Sequence, residues 1–359
     1  MRTKLVYTGV IVGLLFILLW FYRTSTIETN NYAITFTKNH NIYIQHLIIE
    51  PADVICLNHP FLIIIVTSYV GHVELRSAHR RAMPQEYLQS LNATRIFLLA
   101  GIPKTERYIT QEAINDESNI YGDILQGTFT ENYRNLTHKH LMGLQWASSR
   151  CDKTAFILKV DDDTVFNFNR THEFLSKVPV LHRENFIMGY ILNNTQPKRS
   201  KQNKWYVTWN EYPRNDYPPY LSGWYYVISP KIAKALCQEA PYHPYFWIDD
   251  IQVTGVLTEA LNIRLMELPK DFWLEYYELL ECCLKDMISK VIKCDYVVGP
   301  NGGRNNLIVE FNDALTNCDN WKNCTVRSVD MPLKKTCIVN KNRAIFGKGE
   351  AEIHQIKMI

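Results

Sequence analysis

The chain has 359 residues, a formal net charge of +3, and 47% hydrophobic against 21% charged residues. So small a net charge leaves no electrostatic footprint for a nucleic-acid partner, and the composition excludes a disordered or collagen-like chain. Nine cysteines (Cys56, Cys151, Cys237, Cys282, Cys283, Cys294, Cys318, Cys324 and Cys337) fit an oxidising compartment. The odd number leaves at least one unpaired or intermolecular. Their spacings form no clean pair of Cys-x-x-Cys units, which argues against zinc.

In chain order, Arg2 and Lys4 lie in a short tail (residues 1–4) before an uncharged apolar run over residues 5–22, and Arg23 follows. The run is long enough to span a bilayer. No Ala-x-Ala-like cleavage site follows it, so a transmembrane signal anchor is expected rather than a cleaved leader. Positive charge ahead of the span predicts a cytosolic N-terminus and a lumenal remainder, a type II membrane protein. Five sequons, at Asn92, Asn135, Asn169, Asn193 and Asn323, are compatible with that address. Residues 23–55 carry weak periodicity and read as a stem. Residues 56–345 read as one α/β domain and residues 346–359 as a tail.

Within the domain, Phe61–Thr67 is a continuous β-branched run, as expected of a strand buried on both faces. Glu74–Leu91 has helix composition, Ile96–Leu99 predicts a second strand, and Asn135–Ser148 a helix. Phe156–Val160, Phe186–Met188 and Tyr225–Ile228 predict further strands, with helices at Pro230–Glu239 and Asp249–Leu261. Alternation of this kind predicts a doubly wound α/β fold. After Pro300 the pattern reads as irregular, with Asn301-Gly302-Gly303 marking a loop.

Two acidic sites carry the chemistry. The strand Phe156–Val160 ends in Asp161-Asp162-Asp163. In open α/β sheets ligands sit beyond the carboxyl ends of the strands. Carboxylates placed there suit a hard divalent cation that also binds substrate phosphates. Three like charges so close repel one another unless a cation or donors offset them. At Asp249-Asp250 two readings stand side by side, helix capping and general-base catalysis. Between these sites, Tyr217-Pro218-Pro219-Tyr220-Leu221-Ser222-Gly223-Trp224-Tyr225-Tyr226 suits either a rigid ligand-facing loop or a turn packed into the core. Trp205 and Trp209 upstream are core residues or an acceptor platform.

Several stretches together resemble the β-1,3-glycosyltransferases of the galactosyltransferase group, glycosyltransferase family 31. They are Arg76-Ser77-Ala78-His79-Arg80; Glu117, Tyr121–Leu125, Tyr133–Thr137, Lys139 and Trp146; Lys159–Asp163; Tyr217–Tyr220 with Gly223; and Asp249-Asp250-Ile251. The resemblance implies a GT-A glycosyltransferase fold, a Rossmann-like mixed sheet flanked by helices, preceded by one transmembrane helix in the Golgi membrane. It implies inverting transfer from a UDP-sugar, galactose first and N-acetylglucosamine second, to a glycan acceptor on glycoprotein or glycolipid in β-1,3 linkage, with Mn2+ or another divalent cation. It makes Asp250 the base, Asp163 the metal ligand, and Asp161 and Asp162 holders of the ribose and the metal's waters. Arg76, Arg80 and Lys139 become donor contacts, and Trp205, Tyr220, Gly223, Trp224 and Asp249 the acceptor side.

Three departures stand out. Ala82-Met83 replaces the family's Thr-Trp, Asp249 replaces its Glu, and no histidine follows Cys294-Asp295-Tyr296 before His354. The last departure leaves open fewer metal ligands, a slipped alignment or weakened metal dependence. It also keeps in view a non-catalytic lumenal protein of the same fold that binds glycans or a partner. A hydrolase of nucleotide sugars is a third reading.

Overall fold

The computed structural model describes residues 46–338. The expected anchor at residues 5–22 and the tail at 346–359 lie outside them, and among the described residues no helix is long and apolar enough to cross a membrane. The architecture is a mixed α/β fold around one large sheet. Ten strands form it and a small companion: β1 (Leu47–Ile49), β2 (Leu62–Thr67), β3 (Ala93–Gly101), β4 (Ile124–Thr130), β5 (Phe156–Asp161), β6 (Thr164–Phe166), β7 (Ile187–Leu192), β8 (Tyr220–Ile228), β9 (Met266–Glu267) and β10 (Val298–Pro300). The eight-stranded sheet runs β1-β4-β3-β2-β5-β8-β7-β9, and β6 pairs with β10 in a second sheet.

The central strands are parallel because helices return the chain between them. β2 pairs in parallel with β3 on one side and β5 on the other. The order therefore reverses at β2, and a crevice opens beyond its carboxyl end. Thr67 there is the register partner of Asp161, so the acidic run is delivered to the reversal point.

Both faces of the sheet are covered, so its strands alternate between two cores. Leu62, Ile64, Val66, Phe156, Leu158 and Val160 face one. Ile63, Ile65 and Ile157 face the other, beneath the helices Leu136–Arg150 and Pro230–Glu239. The second of these helices begins as its sequence predicts. The Ser229 hydroxyl caps it by accepting from the Ile232 amide, with Pro230 in the first turn.

Several expectations are corrected. The sheet begins ahead of Cys56, because Leu47–Ile49 adds antiparallel to β4; three residues are too few to show a period. The helical stretch 74–91 is broken by Pro84 into Val73–Ala82 and Gln85–Ser90, as a proline at a helix start allows. Tyr220–Trp224, read as loop, belongs to the nine-residue buried strand β8. The irregular stretch beyond Pro300 contains the helix Leu307–Asn317, which packs on Val73–Ala82. Disulfides join Cys56–Cys151, Cys282–Cys337, Cys283–Cys294 and Cys318–Cys324, leaving Cys237 as a buried thiol.

Candidate active site

At the end of β5 the three aspartates fall into three different environments. Asp161 is reached by the buried ammonium of Lys159, 2.6 Å from its Oδ1. Asp162 is buried, and its Oδ2 accepts from the Ser68 hydroxyl (2.7 Å) and pairs with His72 Nδ1 (2.8 Å). Its main chain is pinned as well: the amide donates to Thr67 O at 3.0 Å, and the carbonyl accepts from His79 Nε2 at 2.9 Å. Burial pushes the Asp162 carboxyl up, but His72 and Ser68 outweigh burial and hold it below the usual range.

Asp163 differs. Among the described residues no side chain donates to its carboxylate or pairs with it. Burial, then Asp161 and Asp162, push its carboxyl up to about 7. Only its carbonyl is anchored, by the Asn301 amide at 3.0 Å. That bond follows from β10 pairing with β6, which sets Pro300 opposite Thr164. The segment after Cys294-Asp295-Tyr296 thus lies against the acidic run, and the polar residue beside Asp163 is Asn301.

The second acidic site meets the first through β8. Lys159 Nζ also donates to the Gly223 carbonyl, and the Gly223 amide donates to Asp250. A Cβ on Gly223 would lie 3.0 Å from Asp250 Cβ, so the absence of a side chain lets strand and carboxylate approach. Asp250 also accepts from the Ile251 amide at 3.0 Å. Burial, then the charge of Asp249, pushes the Asp250 carboxyl up to about 7. Asp249 goes the other way. Burial raises it, but His140 Nδ1, 2.9 Å from its Oδ2, and Lys159 bring it below its ordinary value. Burial alone would lower the Lys159 ammonium; Asp161, Asp249 and Asp250 together leave it raised.

Beside Asp250 stands an aromatic wall. Trp205 Nε1 donates to Tyr133 OH at 2.8 Å, and the Tyr133 ring packs against Trp247. Burial raises the Tyr133 phenol, and Asp250, Asp249 and Asp161 raise it further; the wall therefore shares its space with both acidic sites. Tyr220 is buried in the adjoining cluster with Tyr217 and Phe246.

The remaining expected site residues are placed differently. All five guanidinium donors of Arg76 are taken, by Glu117, the Ser68 hydroxyl and the carbonyls of Tyr69 and Val70. Lys139 spends its ammonium on Glu131 and the Ser68 carbonyl. Arg80 pairs with Glu117 and Asp123 and stacks over Tyr121. The expectation of donor contact by Arg76 and Lys139 is therefore corrected: both cations hold the loop Ser68–Val70 at the crevice. Trp224, expected on the acceptor side, is 5% exposed and packs on Trp273 in the core, because it alternates with Gly223 along β8.

Sequence reasoning passed over His72, Tyr133, His140 and Lys159 as functional residues. Lys159 did carry a signal, a cation inside the apolar strand Phe-Ile-Leu-Lys-Val, since lysine is buried only when paired.

Among the described residues no group of three or more His, Cys, Asp or Glu side chains could enclose a metal ion. Asp163 nonetheless fits a cation. Its carboxylate has no side-chain partner among the described residues and is crowded by like charge, and magnesium-type ions often take one or two carboxylates, with substrate phosphates and water completing the shell.

The galactosyltransferase family model matches residues 74–269. Beta-1,3-galactosyltransferase 5 of Pan paniscus is 35% identical over 209 residues, covering 58% of this chain and 68% of that one. The Mus musculus protein of the same name is 34% identical over 271 residues, 75% of this chain and 83% of its own. Beta-1,3-galactosyltransferase 2 of Mus musculus is 30% identical over 244 residues, 68% and 57% of the two chains.

Proposed function

The chain belongs to the galactosyltransferase family and is a glycosyltransferase; from that premise we propose that it moves galactose from UDP-galactose to a glycan hydroxyl in β-1,3 linkage, with inversion, on a GT-A arrangement of the sheet. N-acetylglucosamine is the second donor. The observation that carries the reading is the convergence of Asp161-Asp162-Asp163 and Asp249-Asp250 on one end of the sheet, joined through Lys159 and Gly223.

Asp163 would hold a divalent cation, manganese first, and Asp161 and Asp162 would orient the ribose and the cation's waters. When bound, the cation neutralises charge that develops on the departing diphosphate. The acceptor lies on Trp205 and Tyr133, whose faces suit a sugar ring. Asp250 takes the proton of the attacking hydroxyl as its oxygen bonds to the anomeric carbon and the bond to UDP breaks on the opposite face. A carboxylate whose pKa has risen to about 7 is a stronger base than an ordinary aspartate. Holding both substrates in line supplies much of the rate.

We place the enzyme in the Golgi membrane by the segment 5–22, with the domain lumenal. The four disulfides support an oxidising compartment.

The test is Asp250→Asn, assayed with UDP-galactose and UDP-N-acetylglucosamine over simple acceptor glycosides, with and without Mn2+. Transfer falls by roughly 10²–10⁴, the usual worth of a general base, while UDP affinity is kept. Near-normal turnover in that variant removes the assignment. A wild-type protein that binds but never turns over points to the non-catalytic reading, and UDP release without acceptor points to the hydrolase.

A further inference from the structure

His140 projects from the helix Leu136–Arg150 into the space between β8 and the Asp249-Asp250 segment, and it is fully buried. Both ring nitrogens are engaged: Nδ1 lies 2.9 Å from Asp249 Oδ2, and Nε2 lies 2.5 Å from Tyr226 OH. Burial drives the imidazole toward its neutral form. A neutral imidazole carries one N–H. The Asp249 carboxylate can only accept, so the proton sits on Nδ1, and Nε2 accepts from the Tyr226 hydroxyl. The result is a directed chain, Tyr226 to His140 to Asp249, that ends beside Asp250.

We propose that His140 is a positioning residue for proton transfer: by donating to Asp249 it keeps that carboxylate charged and immobile, so that the acceptor's proton is delivered to Asp250 alone. The proposal rests on Asp250 being the base. Two adjacent carboxylates that interact share their protons unless their surroundings differ. Here one receives an imidazole N–H and the other two backbone amides, which is the asymmetry that divides the roles. Other titratable groups face this chain from Lys159 and Asp161 on β5, from Tyr133 and Tyr245 on the flanking segments, and from Cys237 beyond Tyr226. None of them donates to Asp249 at hydrogen-bond distance, leaving His140 as its side-chain donor among the described residues.

The experiment compares two amides of similar bulk. His140→Asn sets an N–H where Nδ1 was and retains the bond to Asp249. His140→Gln reaches toward Tyr226 instead. The full-length enzyme is assayed for kcat, KM of the UDP-sugar and the pH dependence of kcat/KM, with the melting temperature recorded. His140→Gln is expected to lower kcat about tenfold, leave the donor KM unchanged, and move the acid limb up by about one pH unit, because the Asp249 charge, no longer offset by the imidazole N–H, bears more fully on Asp250. His140→Asn is expected to return the limb to its wild-type place. Asp249→Asn leaves the histidine native and removes the neighbouring charge, so the limb moves down. Equal melting losses in the two histidine variants with an unmoved limb would mark a merely structural role and overturn the proposal. So would an unmoved limb in Asp249→Asn. Asp250→Asn keeps the two ideas apart. If that variant turns over normally, the base assignment has failed and this proposal with it. If it is dead while the His140 variants keep the wild-type limb, only the positioning role is lost.

Discussion

Lys159 Nζ and Asp161 Oδ1 stand 2.6 Å apart at the inner end of β5, with the lysine 1% exposed and the aspartate 36%. The same ammonium reaches the Gly223 carbonyl, so one buried cation fastens the acidic run after β5 to β8, the strand against which Asp250 packs. Replacing it by methionine keeps the volume and removes the charge. Lys159→Met is expected to destabilise the fold by about 3 kcal/mol, the low end for breaking a buried pair because Asp161 is partly solvated. Urea denaturation measures this. Turnover should fall further than stability alone explains.

Asp163 makes stability depend on pH in an unusual direction. Its carboxyl rises from 3.8 to about 7, as does that of Asp250. The folded chain therefore keeps protons that the unfolded chain has released. The contribution is complete below pH 3.8 and is lost as pH climbs through about 7. The metal-free protein is expected to melt lower at pH 7.5 than at pH 5.5, by about 3 °C or more. Asp163→Asn flattens that slope, and Mn2+ with UDP restores the melting temperature at pH 7.5. A melting temperature that rises over this interval would contradict the assignment.

A side chain at Gly223 would crowd Asp250. The methyl of Gly223→Ala would press on Asp250 Cβ at 3.0 Å. The expected penalty is about 1 kcal/mol of stability, at the mild end of overpacking, together with at least a tenfold loss of kcat. Donor KM stays put. Circular dichroism melts and initial rates together give the split.

The indole of Trp205 and the phenol of Tyr133 form a hydrogen-bonded pair, and a ring-on-sugar contact there should affect only the acceptor. Trp205→Ala is expected to raise acceptor KM about tenfold, in line with losing one aromatic anchor, without changing UDP affinity. Calorimetry with UDP and saturation curves for the glycoside separate the two.

Much of this was legible before any coordinates. The continuous apolar run at Phe61–Thr67 and the acidic stop after Val160 named the buried strands and the end of the sheet that carries the site. The helix read at Pro230–Glu239 has those bounds. What escaped depended on distance in sequence. Nothing local says that His140 meets Asp249, 109 positions away, or that Asn301 meets Asp163. Arg76 and Lys139 misled because a cation in a motif reads the same whether it holds a ligand or a buried glutamate. Tyr220–Trp224 misled because two prolines announced a loop that in fact ends at Pro219.

One practical consequence lies in the pairing of β10 with β6. The family match stops at residue 269, yet the amide at Asn301 steadies Asp163, and the segment leading to it is stapled by Cys283–Cys294. A shortened recombinant version ending at residue 269 would retain all five aspartates of the site and still be crippled, the floor beneath Asp163 sagging for want of a brace made more than thirty residues further on.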